Sequence, residues 1–276
     1  MKAERAGVEA LPVRVRLADG EDVTSYAARL AAANALSVHE IETALRPRGL
    51  LTSTSPRQPG RLQTWRELGR LHASAFTAPV EIDQTWVTSR PLCLVCTRGV
   101  QAMGRHPGTG WVCLRHRRWL GTPQHDISHL LQVVQAERTF RRRLVPRSVL
   151  YDTPAMLFAL HLALLSTSPA PGRQIAGRWE PIATRYPAQV DWALTLTDQS
   201  FLDALSHPTC VQTRQDAISR ATDDLHVDQA WRVRSRLHRL SEVLRRVRTS
   251  SANPTLPGLE EPAPRPGPAD VFLSAI

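Results

Sequence analysis

Apolar positions recur every three to four residues over much of this chain, and the elements they predict are nearly all helices. Between Val23 and Arg46, Tyr26, Leu30 and Ala33 share one helical face, and Asn34-Ala35-Leu36 interrupts it. Ser37 then opens a second helix, with Glu40 three residues on completing a capping box and Ile41 and Leu45 forming the apolar side. Two short helices joined by a tight turn predict a helix-turn-helix-like pair over 23–46. Its second helix is expected to turn His39, Glu40, Glu42, Thr43 and Arg46 outward. Two glutamates on such a face suit packing or protein contact better than a groove lined by phosphates. The stretch 47–60 is punctuated by Ser and Pro as a loop. Leu62, Trp65, Leu68 and Leu71 mark a further helix whose Arg61, Arg66 and Arg70 face solvent or a partner.

The second half continues the pattern. A helix is expected over 126–144, with Asp126 as N-cap, a stripe of Ile127, Leu130, Leu131 and Val134, and Phe140 and Leu144 extending the apolar side. Asp152-Thr153-Pro154 opens a strongly apolar core helix through about Leu165. Over 173–224, Trp179, Trp192, Phe201 and Leu202 suggest buried helical faces interrupted by Pro181, Pro187 and Pro208. From Val227 to Arg248, Ala230, Val233, Leu237, Leu240, Leu244 and Val247 follow heptad spacing for under three heptads; packing within the fold and a coiled-coil homodimer both fit. Ahead of the helices, 12–17 alternates apolar and basic residues as a short strand or extended arm, and Ala18-Asp19-Gly20 makes a turn. The fold expected is mainly α: a flexible leader (1–11), a region over 12–145 with a helix-turn-helix and a small zinc ribbon (90–121), a helical C-terminal domain (150–249), and a Pro-rich disordered tail (250–276).

Composition narrows the class. With 276 residues and 42% hydrophobic content the chain can bury a substantial core, so a metal would organise a subdomain rather than hold the whole protein together. The longest apolar segment, 155–165, is too short to span a bilayer and contains His161. The charged residues near the N-terminus do not read as a signal peptide, and a soluble, cytoplasmic protein is expected. The net charge of +10 is carried almost wholly by arginine, whose fork matches phosphate. A GC-rich genome would impose similar richness, so placement matters more than total. Arg138, Arg141, Arg142 and Arg143, with Arg147 beyond Pro146, exceed what a helix C-terminus calls for, since each cation there gains only about 0.3–1 kcal/mol. They are the first candidates for nucleic-acid contact. Arg232, Arg236 and Arg239 on the last helix come second, because a solvated face also explains them.

The most specific chemistry is Cys93-Leu94-Val95-Cys96 and, after sixteen residues, Cys113-Leu114-Arg115-His116. A two-residue spacing lets one turn aim two side chains at one ion, and three thiolates with an imidazole fill a tetrahedral zinc shell. One structural Zn2+ is therefore expected, with no catalytic residue assigned. The intervening Gly104, Gly108, Gly110 and Trp111-Val112 suit a short hairpin back to the metal. Cys210 is left for a core or helix-end position. A zinc hydrolase would need an open coordination position, and the deaminase pattern His-x-Glu with Pro-Cys-x-x-Cys is not met, Pro91 falling one residue early.

Pro12, Gly20-Glu21, Ser25-Tyr26, Arg29-Leu30-Ala31, Ala33-Asn34 and Leu36-Ser37, followed by Cys93, Cys96, Trp111, Cys113 and His116, resemble the TniQ family in identity and order. The resemblance covers roughly 12–145. It implies a non-enzymatic role in DNA transposition, helping to choose the target site and bridging a recognition element to the transposase or its ATPase regulator. DNA is the partner implied first, with RNA left open. Many members carry a second cysteine pair soon after the Cys-x-x-His, whereas this chain supplies only His125 and His129, so one zinc is expected. A helix-turn-helix transcription regulator with a structural zinc and no transposase partner is the alternative.

Overall fold

The computed structural model describes residues 8–51, 58–76, 88–105, 108–167 and 180–252. The first seven residues of the expected leader, Trp179 and the tail beyond Ala252 lie outside that set. The described chain is mainly helical, and it divides into two compact units: residues 1–106 with 120–124, and residues 107–119 with 125–276.

The first unit is built on α1 (Val23–Ala33), α2 (Val38–Leu45) and α3 (Pro59–Gly69). Asp22 caps α1, accepting from the Ser25 amide at 2.8 Å. Ser37 and Glu40 form the expected capping box on α2, and the turn between the two helices places Ala35 at a left-handed φ of 56°. Val23, Tyr26, Ala27, Leu30, Ile41, Leu45, Trp65 and Leu68 pack into one core. Ala33, expected on the buried face, is exposed.

Two charged residues depart from their expected places. Glu42 is buried, not outward, because it lies in the Val38–Ile41–Leu45 stripe that faces the core. Its carboxylate accepts from Arg61 Nε at 2.8 Å and Trp65 Nε1 at 3.1 Å, which draws Arg61 inward from its expected solvent position. Arg66 is half-buried and donates to the Ala75 carbonyl, whereas Arg70 is exposed and ends α3 in the left-handed region.

The 12–17 segment runs as an arm rather than a paired strand, fastened by side chains of α1. Asn34 both accepts from the Val13 amide and donates to its carbonyl, each at 2.9 Å. Tyr26 Oη donates to the Val15 carbonyl and Arg29 to that of Arg16. Buried Glu21 accepts from Arg29, Ser25 Oγ and the Ala18 amide, and Ser25 Oγ accepts from the Met103 amide. Tyr26 reaches the arm by crossing Gly69, where a Cβ would stand 2.3 Å from its hydroxyl, so only glycine leaves room. A short antiparallel pair, β1 (Arg90–Pro91) with β2 (Met103–Gly104), completes this unit.

The second unit holds a small antiparallel sheet, β3 (Val112–Cys113), β4 (Arg118–Trp119) and β5 (His125–Asp126), in that order, with six helices. Asp126 is not the N-cap expected of it. It belongs to β5, its carboxylate takes the Ser128 amide at 2.8 Å, and α4 begins only at Leu131 (Leu131–Thr139). Leu131, expected in the stripe, is 67% exposed; Val133, Val134, Ala136 and Glu137 face inward instead. The helix continues as a π-helical turn, Phe140–Leu144, and a 3-10 turn, Val145–Arg147. Phe140 and Leu144, one turn apart, are both buried.

Pro154–Thr167 forms the expected core helix, α5, packed mainly on α6 (Glu180–Leu196). Pro187 does not interrupt α6 but lies inside it. Burial of Ala183, Tyr186, Val190, Ala193 and Leu196 along one face holds the helix across the missing N–H. Asp198 caps α7 (Gln199–Leu205), and Cys210 caps α8 (Val211–Thr222), the helix-end position expected for that thiol. The long α9 (Val227–Ala252) buries Ala230, Val233, Leu237 and Leu240 within the unit, with Leu244 and Val247 partly covered. Among the described residues no helix is long and apolar enough to cross a membrane.

Candidate metal centre

Each expected ligand pair occupies a tight turn. In the first, the Thr97 amide bonds the Cys93 carbonyl at 3.0 Å and the Gly99 amide bonds that of Leu94 at 2.6 Å, with Arg98 and Gly99 at positive φ. The single Thr97 hydroxyl proton has the Cys93, Leu94 and Val100 carbonyls within reach as acceptors, which ties its side chain to this turn. Gln124 brackets it from further along the chain, donating to the Leu92 carbonyl at 2.6 Å and accepting from the Leu94 amide at 2.9 Å. Nothing in the local pattern singles out Gln124, since its partners are backbone groups about thirty residues away.

The second pair lies on the β3–β4 hairpin. Cys113 ends β3, opposite Arg118, and His116 sits in the turn just before Arg117, which again has a positive φ. The expected single hairpin between the two pairs is in fact split: its early part pairs with β1 and its late part with β4.

The ligand atoms of Cys93, Cys96, Cys113 and His116 all lie within 4.8 Å of one another. Cys113 Sγ is 3.7 Å from His116 Nδ1. Zinc bonds of about 2.3 Å to sulfur and 2.0–2.1 Å to nitrogen at the tetrahedral angle require a separation of about 3.6 Å, so the spacing of this pair is compatible with that ion. Three thiolates and an imidazole could together supply four donors to one metal ion. Cys93 is buried, Cys113 and His116 are half-buried, and Cys96 is exposed.

The hairpin is anchored by α4. Glu137, fully buried, accepts from the Gly110 amide at 2.9 Å, from Arg141 Nε at 2.6 Å and from Tyr186 Oη at 2.8 Å. Arg141 also donates to the Val112 carbonyl at 2.9 Å, next to the ligand Cys113. Burial and the neighbouring Glu137 charge raise the Tyr186 hydroxyl well above its usual pKa, so it stays a donor. A Cβ at Gly110 would lie 2.0 Å from Tyr186 Oη and 2.5 Å from the Glu137 carboxylate. Trp111 stacks on Trp119, with centroids 5.8 Å apart, and Trp119 meets the edge of Tyr186.

The arginines expected to meet nucleic acid separate into two kinds. Arg138, Arg142, Arg143 and Arg147 are exposed, and so are Arg232 and Arg239. Arg141 is half-buried and engaged as above, and Arg236 is half-buried near His161. Arg147 lies near Asp198, whose carboxyl is held below its usual range chiefly by the Ser200 hydroxyl and Phe201 amide and least by this arginine. Comparison with protein-family models, curated proteins and solved structures gives no match.

Proposed function

We propose that this chain is a TniQ-like, zinc-containing DNA-targeting adaptor in DNA transposition, contacting nucleic acid and transposition proteins. The observation that carries the reading is the connectivity of the residues behind the resemblance. Glu21, Tyr26, Arg29 and Asn34 each hydrogen-bond the backbone of the arm or the turn after it, with Ser25 donating to Glu21, while Cys93, Cys96, Cys113 and His116 converge as one ligand set. A shared accident of sequence would not need to place both groups so coherently. Zinc, when bound, supplies a structural crosslink between the two ligand turns and no reaction step. The exposed Arg138, Arg142, Arg143 and Arg147 supply the phosphate contacts.

A helix-turn-helix regulator acting without a transposase is the second reading, favoured by α1, α2 and the short turn between them. Affinity capture of the zinc-loaded protein from its native host separates the two. Transposase or its ATPase regulator among the captured proteins supports the adaptor; DNA captured without either supports the regulator.

A further inference from the structure

We propose that the outward face of α2, together with the arm beside its entry, is a second surface for duplex DNA; this rests on the nucleic-acid reading above. The face is freer of negative charge than its sequence implies. Of its two glutamates, Glu42 is turned inward and paired with Arg61. Glu40 stays at the surface, but its carboxylate is drawn back onto the Ser37 amide at 2.6 Å, where the helix N-terminus offsets its charge.

What remains outward on α2 and just past it is His39, Thr43, Ala44, Arg46 and Arg48, all exposed. Thr43 and Ala44 are short and sit in the last turn of α2, so this end of the helix can approach a groove closely, and Thr43 brings a hydroxyl and a methyl suited to base edges. The arm adds Arg14 and Arg16, both exposed and alternating with the partly packed Val15 and Leu17. Two residues along an extended chain span about 6.6 Å. Its backbone at Val13 is held by Asn34, the residue that ends α1 and begins the turn into α2, so the arm starts beside that turn and then runs along α1. Arg46 and Arg48 are exposed just past this face, and Arg14 and Arg16 are exposed on the arm, opposed along 12–20 only by Asp19. A phosphate-lined groove is the partner whose charge complements this surface, and a helix with an adjoining arm is a known way to address neighbouring grooves.

The test uses the zinc-loaded full chain and a fluorescent mixed-sequence DNA duplex, titrated over a range of salt. Arg46→Ala/Arg48→Ala and Arg14→Ala/Arg16→Ala should each weaken binding about tenfold and reduce the salt slope by about 1.8, two phosphate contacts at 0.9 each. Thr43→Glu, which adds a negative charge to the face, should weaken it further, while melting temperatures of the arginine variants stay at the wild-type value and that of Thr43→Glu falls only slightly. Wild-type affinity and slope in all three variants, alongside a loss in Arg142→Ala/Arg143→Ala, would overturn this surface and leave the nucleic-acid reading standing. A wild-type protein that binds no duplex would overturn both.

Discussion

Two buried ion pairs, Glu42 with Arg61 in the first unit and Glu137 with Arg141 in the second, use the same chemistry for different ends. In both, a carboxylate sits within the inward stripe of a helix and accepts from an arginine and from an aromatic side chain, Trp65 Nε1 or Tyr186 Oη. The first pair is nearly dry, with side chains 5% and 8% exposed, and joins α2 to α3. The second is an i,i+4 pair whose arginine is 32% exposed, and it reaches past its helix to the backbone of the hairpin bearing Cys113 and His116. The first therefore bears on helix packing alone, the second on helix packing and on the candidate metal centre together.

Removing the more widely connected carboxylate should break most. Glu137→Ala removes the carboxylate that Tyr186 Oη, the Gly110 amide and Arg141 Nε share, and unfolding by denaturant should show a loss of about 4 kcal/mol. The same protein should release zinc to a chelator faster than wild type. Glu42→Ala strands a buried guanidinium and should cost about 3 kcal/mol, with zinc release unchanged. Equal zinc release in the two variants would erase the distinction between the pairs.

Within the arginine run the contrast becomes finer. Arg141→Ala should lower stability by about 1–2 kcal/mol through its lost hydrogen bonds, whereas Arg142→Ala, at an exposed position, should change it by less than about 0.5 kcal/mol and act on DNA affinity instead. On the arm, Asn34→Ala should cost about 1 kcal/mol, and hydrogen exchange should quicken at the Val13 amide that it holds.

The smallest effect is one of pH. Burial, and secondarily the Arg236 charge, lower the pKa of His161 below the usual imidazole value of 6.5. The unfolded chain then binds this proton more readily than the folded one, so stability is full above about pH 6.5 and declines as pH falls from there toward the lower folded value. Melting temperatures across that range should fall less steeply for His161→Gln.

Most of the helical skeleton was legible because its signals are local. The Ser37–Glu40 box, the Pro154 start and the heptad stripe of α9 each depend on residues within a few turns, and the ligand pairs on spacings of two. The failures share a physical cause. Glu42 falls on the apolar stripe of α2 by position, but its acceptance there depends on Arg61 and Trp65, nineteen and twenty-three residues on. Arg141 reads as one cation among four until the hairpin carbonyl of Val112 is known to lie beside it. Asp126 has a capping residue's chemistry, yet pairing with β4 claims its backbone first.

The central claim, that Cys93, Cys96, Cys113 and His116 hold one structural zinc, is tested most directly by counting metal and reactive thiols on the same native sample. The chain has four cysteines, of which only Cys210 lies outside the ligand set. One zinc per chain and one readily alkylated thiol, at Cys210, are expected, the thiol count rising to four once a chelator has removed the metal. A folded protein without zinc whose four thiols react alike before and after chelation would contradict it.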